Sequence, residues 1–137
     1  AGIIFGGSTT SPAPFTPTAN TEEYDGTNWT AGGSLGTGRY DISGTGLQTA
    51  TVAFGGLQDP DATEEYNGSS WTGGGNMANN RRNAGSAGTQ TAALAWAGPP
   101  ALNLSEEYNG TSWTAGGNLI TRNSNSGTII WRRRPRR

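Results

Sequence analysis

The eight residues EEYNGTSW at 106–113 have appeared twice before in the chain, as EEYDGTNW at 22–29 and EEYNGSSW at 64–71. Glu22, Glu64 and Glu106 are 42 residues apart, and Trp29, Trp71 and Trp113 keep the same step. Phe54 and Trp96 share the interval, as do Gly55 and Ala97, and Arg39 and Arg81. The third arginine, Arg122, arrives one residue early. A fixed period of this size identifies an array of supersecondary units, each unable to bury its apolar face alone. The opening IIFGG (3–7) matches VAFGG (52–56) at a longer interval of 49 residues. The additional length falls in STTSPAPFTPTAN (8–20), a Pro/Thr-rich stretch where a surface loop absorbs insertions.

Each unit reads as four short strands. In the second, NAGSAG (83–88) is the first strand, TQ the turn, and TAALAWAG (91–98) the second strand. Period-2 alternation puts Ala92, Leu94 and Trp96 on one face and Ala93 and Ala95 on the other. After the loop PPALNL, the segment SEEYN forms the third strand and the Trp segment the fourth. They are joined at Asn-Gly or Asp-Gly, which predicts a type I′ hairpin turn. An even loop length brings Tyr24 and Trp29, Tyr66 and Trp71, and Tyr108 and Trp113 onto one face of the sheet. Such a pair contributes about 0.5–1 kcal/mol beyond burial. A neighbouring unit has to cover it.

Composition narrows the chemistry. The 137 residues include 23 Gly and no His, Cys or Lys, so imidazole and thiolate catalysis and disulfides are excluded. The formal net charge of −1 conceals an uneven distribution. Residues 1–131 hold Arg39, Arg81, Arg82 and Arg122 against all 10 acids, while RRRPRR closes the chain. The body offers no basic patch, so nucleic acid is not an expected partner. The tail at 132–137 reads as a solvated end, a segment docked on the acidic body, or a phosphate-binding run. No apolar run reaches membrane-spanning length, and no leader is visible before AGIIFGG. The absent initiator Met suggests processing or a piece of something longer.

The Gly-Gly pairs at Gly6-Gly7 and Gly55-Gly56, the Tyr/Trp pair bracketing each last hairpin, and the arginine opening each first strand resemble kelch repeats. The resemblance spans most of 1–131. It implies an all-β fold of β-propeller blades with four antiparallel strands each, three blades' worth per chain in cyclically offset order, from strand two of one unit to RNSNSGTIIW (122–131) near strand one of another. Two departures stand out: the Tyr-to-Trp interval is short, and the second Gly-Gly is reduced to Ala97-Gly98. The phrasing of the repeat is also similar to bacteriophage and marine viral structural proteins of the tail-fibre type. That likeness implies a virion-surface or extracellular setting. A propeller needs at least four blades to close. Two chains joined head to tail into a six-bladed ring, or one longer chain, are the expected solutions.

The repeated glutamates invite a catalytic reading, because paired carboxylates serve glycoside hydrolysis. Adjacent strand residues face opposite sides, however, so Glu22-Glu23, Glu64-Glu65 and Glu106-Glu107 are badly placed to act on one bond. The expected role is structural, with one glutamate of each pair bonding backbone amides or the repeat's Arg39, Arg81 or Arg122 and fastening blade to blade. Sialidase propellers carry a hairpin with Gly three residues before Trp, as at Gly26/Trp29. Their defining Asp would fall at Tyr24, Tyr66 and Tyr108, and their arginine cluster is missing. The sequence thus predicts a non-enzymatic binding or structural module, lectin-like, with no cofactor and no metal. A glycan-processing propeller enzyme and a purely assembling repeat are the alternatives. Trp29, Trp71 and Trp113 read as packing residues rather than sugar platforms. Ligand contacts are expected on the variable loops, at Phe15, Asp59, Asp61 and Asn103, with a glycan or surface protein as ligand. Asp59 and Asp61 could also hold a hard cation through oxygen ligands, but two acids on one loop read better as a solvated turn. Asn28, Asn67, Asn103 and Asn109 match glycosylation sequons, and turn chemistry accounts for Asn67 and Asn109.

Overall fold

The computed structural model describes residues 1–122 and is all-β, with eleven strands in three antiparallel sheets. The first sheet holds β1 (Gly2–Phe5), β2 (Thr21–Tyr24) and β3 (Trp29–Ala31). The second orders β4 (Ser43–Leu47), β5 (Ala50–Phe54), β6 (Thr63–Tyr66) and β7 (Trp71–Gly73). The third repeats that order with β8 (Gly85–Thr89), β9 (Ala92–Trp96), β10 (Ser105–Tyr108) and β11 (Trp113–Ala115). Among the described residues the sheets do not close on themselves, and no helix is long and apolar enough to cross a membrane. The basic tail at 132–137 and the expected further strand in 122–131 lie, apart from Arg122, outside the described residues.

The 42-residue period is a stacking period. The second sheet lies between the other two, so its central strand is covered on both sides: Val52, Ala53 and Phe54 are fully buried. Phe5 meets the edge of Trp71 at 5.0 Å between ring centroids, and Phe54 meets Trp113 at 4.9 Å one unit later. β4 and β8 run side by side, linked by Ser43 Oγ to the Ala84 carbonyl (2.9 Å), Thr45 Oγ1 to that of Gly88 (3.0 Å) and Ser86 Oγ to that of Gly44 (2.8 Å). Gly44 is required there, since a Cβ would strike the Phe5 ring. The apolar core is accordingly small-residue and thin: Val52, Phe54, Met77, Ala84, Ala93, Ala95 and Tyr108.

Two local expectations are corrected. The first strand of the second full unit starts at Gly85 rather than Asn83, because Asn83 has φ +49° and is turned out of extended geometry. The unbroken pairing of β9 keeps Ala92, Leu94 and Trp96 on one face and Ala93 and Ala95 on the other, as the alternation predicts; Ala93, Ala95 and Trp96 are buried and Ala92 is exposed. The hairpin turns are not type I′. Tyr24 pairs with Trp29 across a longer loop, 25–28, in which only Gly26 has positive φ. The Asp25 carboxylate accepts the amides of Thr27 (2.7 Å) and Asn28 (2.8 Å), and Asn67 and Asn109 do the same for theirs. These amides hold the Asp25 carboxyl below its ordinary range.

Candidate functional site

The repeated polar residues divide into two sets that the alternation of the strand separates. The first glutamate of each pair serves its own sheet. Arg39, just before β4, donates to Glu64 on β6 at 2.7 Å and to the carbonyls of Gly55 (2.9 Å) and Ala62 (3.1 Å). Arg81 repeats this with Glu106 at 2.8 Å and the carbonyls of Ala97 (2.6 Å) and Leu104 (3.3 Å). Both guanidinium side chains are fully buried. The second oxygen of each carboxylate takes an amide from the incoming linker, Gly36 (2.6 Å) or Ala78 (2.7 Å). The arginine–glutamate pair therefore ties the first strand of a sheet to its third. This corrects the expectation that it fastens one unit to the next.

The second glutamate does the fastening between units. Tyr66 donates its hydroxyl to Glu23 of the preceding sheet, and Tyr108 donates to Glu65 at 2.6 Å. Trp71 Nε1 reaches Thr21 Oγ1 at 2.9 Å, and Trp113 Nε1 reaches Thr63 Oγ1 at 2.8 Å. Burial, followed by the carboxylate partner, pushes both phenols up, Tyr108 most strongly. The rings of each Tyr/Trp pair lie 4.9 Å apart. Gln48 and Gln90 complete the set and were missed in the sequence. Gln48 donates to the carbonyls of Gly2 and Tyr24, and Gln90 to those of Thr51 and Tyr66. Their 42-residue spacing was the available signal.

These residues are thus occupied in structure, and the surface open to a ligand lies elsewhere. A cleft of about 300 Å³ is lined by Gly7, Ser8, Phe15, Tyr40, Asp41, Leu57 and Arg82. The 8–17 loop is stiffened from within. Ser8 Oγ accepts the amides of Thr10 and Thr16, Thr10 Oγ1 donates to the Pro14 carbonyl, and Ser8 bridges Pro17. That bracing presents Phe15, 48% exposed, against Tyr40 with ring centroids 5.5 Å apart. Tyr40 is itself anchored by a bridge to Leu57, whose amide donates to the Tyr40 carbonyl at 2.8 Å. Facing them, Arg82 stands 3.8 Å from Asp41, with both side chains reachable from solvent. Asp41 has φ +57°, a strained value for a non-glycine residue, and its carbonyl is held by the Asn83 amide.

Of the residues expected on ligand loops, Phe15 alone lines this cleft. Asp59 and Asp61 lie half-buried on the next loop, where their carbonyls accept the amides of Ala62 and Met77, and the Asp61 carboxylate takes Asn76 at 3.4 Å. Asn103 likewise uses its carbonyl, for the Leu119 amide at 2.7 Å. Among the described residues no group of three or more His, Cys, Asp or Glu is placed to hold a metal ion. Glu22 and Trp29 are exposed on the first sheet, and Arg122 is exposed at the far end. Compared with known proteins, the chain matches no family model and no curated sequence.

Proposed function

We propose that the chain is a non-enzymatic binding and structural module built from kelch-like propeller blades. Its loop face recognises glycans, and two copies close a six-bladed ring of the kind suited to a viral fibre or another extracellular adhesive. The observation that supports glycan recognition is the braced cleft. Phe15 and Tyr40 offer apolar ring faces for the C–H face of a pyranose, and the Arg82–Asp41 pair offers planar donors and acceptors for its hydroxyls. Such a mixture of stacking surface and a few convergent polar groups is the usual make-up of a small-ligand site.

A glycan array followed by calorimetry tests this reading. Wild type binds a defined set of glycans without cleaving them. Phe15→Ala and Arg82→Gln each weaken binding at least about tenfold while the fold is retained, because both side chains are half-exposed and leave the core untouched. No bound glycan on a broad array, or binding indifferent to both substitutions, rejects the site.

A further inference from the structure

The links between sheets run in one direction, and each end of the described chain holds one half of the next link. Every sheet sends its Tyr and Trp back to the Glu, Thr and aromatic ring of the sheet before it. On the first sheet, Tyr24 and Trp29 occupy the sending positions. Trp29 is 50% exposed, whereas Trp71 and Trp113 are half-buried against a neighbour. On the third sheet, Glu107 and Ser105 occupy the receiving positions, in register with Glu65 and Thr63, and Glu107 is exposed; Trp96, in register with Phe54, is already buried. A cleft of about 340 Å³ opens there beside Ala93, Glu107 and Tyr108. Its Ala93 and Tyr108 carbonyls correspond to those that Gln90 binds on the second sheet.

The charges divide in the same way. In the two complete sheets, a buried arginine from the start of the unit meets the first glutamate of the third strand. Glu22 holds that glutamate position on the first sheet and is exposed, and no guanidinium of the described residues pairs with it. Arg122, one residue short of the 42-residue step, is the corresponding arginine at the other end, four residues before Ser126-Gly127-Thr128 as Arg39 is four before Ser43-Gly44-Thr45. Ile120, fully exposed, stands where Gly36 and Ala78 donate their amides to Glu64 and Glu106. Among the described residues β1 has an unpaired edge, flanked by a slot of about 530 Å³ lined by Gly2, Ile3, Phe5 and the 44–49 stretch. Beyond Arg122, the sequence SGTII at 126–130 repeats the Ser43-Gly44-Thr45 start of β4.

We propose that a second copy of this chain docks at this joint. Arg122 of one copy pairs with Glu22 of the other and with the carbonyls of Gly6 and Asn20, while Tyr24 and Trp29 engage Glu107 and Ser105. The carbonyls of Gly6 and Asn20 stand in register with those of Gly55 and Ala62, which Arg39 binds. Two such joints satisfy both ends of both copies, which closes the assembly by symmetry. The inference rests on the ring reading above and is independent of glycan recognition.

Charge reversal tests it, with mass by light scattering as the readout. Wild type runs at about twice 14.1 kDa. Glu22→Arg and Arg122→Glu each run as single copies, with assembly weakened at least about a hundredfold by the like charges brought together. Mixed in equal amounts, the two variants regain the two-copy particle, since each joint then pairs Arg with Glu. Far-UV circular dichroism unchanged from wild type confirms that the singles are folded. A wild type that stays single at all concentrations, grows into fibres, or keeps its mass in both variants overturns the joint. So does a mixture that fails to recombine. A two-copy particle that binds no glycan leaves the joint intact and rejects only the recognition site.

Discussion

Arg81→Met lowers the stability of the fold by about 3–5 kcal/mol, measured by urea denaturation. The reason is the company the side chain keeps. Arg81 is 1% exposed and Glu106 is fully buried, so removing the guanidinium leaves a carboxylate in a dry interior with only the Ala78 amide near it. It also strips the Ala97 and Leu104 carbonyls of their donor. The Nε of Arg81 makes no hydrogen bond among the described residues, so the pair already carries a desolvation cost. For that reason the double variant Arg81→Met/Glu106→Leu recovers at least about 2 kcal/mol of the loss, as apolar replacements of buried ion pairs do. A single variant that costs less than about 1 kcal/mol shows that Glu106 is not held in a dry site.

Phe54→Ala is the second large effect, again about 3–5 kcal/mol. Phe54 is fully buried, sits on the central strand of the sandwiched sheet, and supplies the ring against which Trp113 of the next unit packs. The small side chains around it, Ala84, Ala93 and Ala95, cannot swing in to fill the space, so most of the cavity stays open. Phe5→Ala is the internal comparison. Phe5 makes the same edge contact to Trp71 at 5.0 Å but is only half-buried, so its loss is smaller. Equal losses at the two sites would contradict the sandwiched position of the second sheet. The Trp113 emission spectrum should shift in Phe54→Ala and not in Phe5→Ala.

Much of this fold was legible in the sequence because repetition supplies three readings of one pattern. The Tyr-to-Trp interval gave a hairpin with both rings on one side, and alternation correctly sent the two glutamates of each pair to opposite faces. What the pattern could not give was the partner. Glu64 lies 25 residues from Arg39, and Glu65 lies 43 from Tyr108, but only packing says which contact stays within a sheet and which crosses. Turn type was misread because the Asp25 and Asn67 side chains cap amides in the loop and make a longer turn competitive with the tight one. Ala97 shows the same limit. It keeps φ +54° at a glycine position, which costs about 1–2 kcal/mol and is visible only in the backbone. The cleft was found through Phe15 alone, because Tyr40, Asp41 and Arg82 come from segments that no local motif connects.

Each unit's phenol is sheltered by the carboxylate of the unit before it, and spectrophotometric titration of the tyrosines reads that shelter most directly. Desolvation and the carboxylates of Glu23 and Glu65 favour the neutral phenols of Tyr66 and Tyr108, so both ionise above their ordinary 10.0. The folded state then binds more protons than the unfolded one above pH 10. Their contribution to stability is complete below that value and is lost as pH rises through the folded values. The expected titration has a late step accounting for at least two of the four tyrosines and coinciding with alkaline unfolding. All four phenols ionising in one step near pH 10, with the sheets still folded, would contradict the stacking of the units.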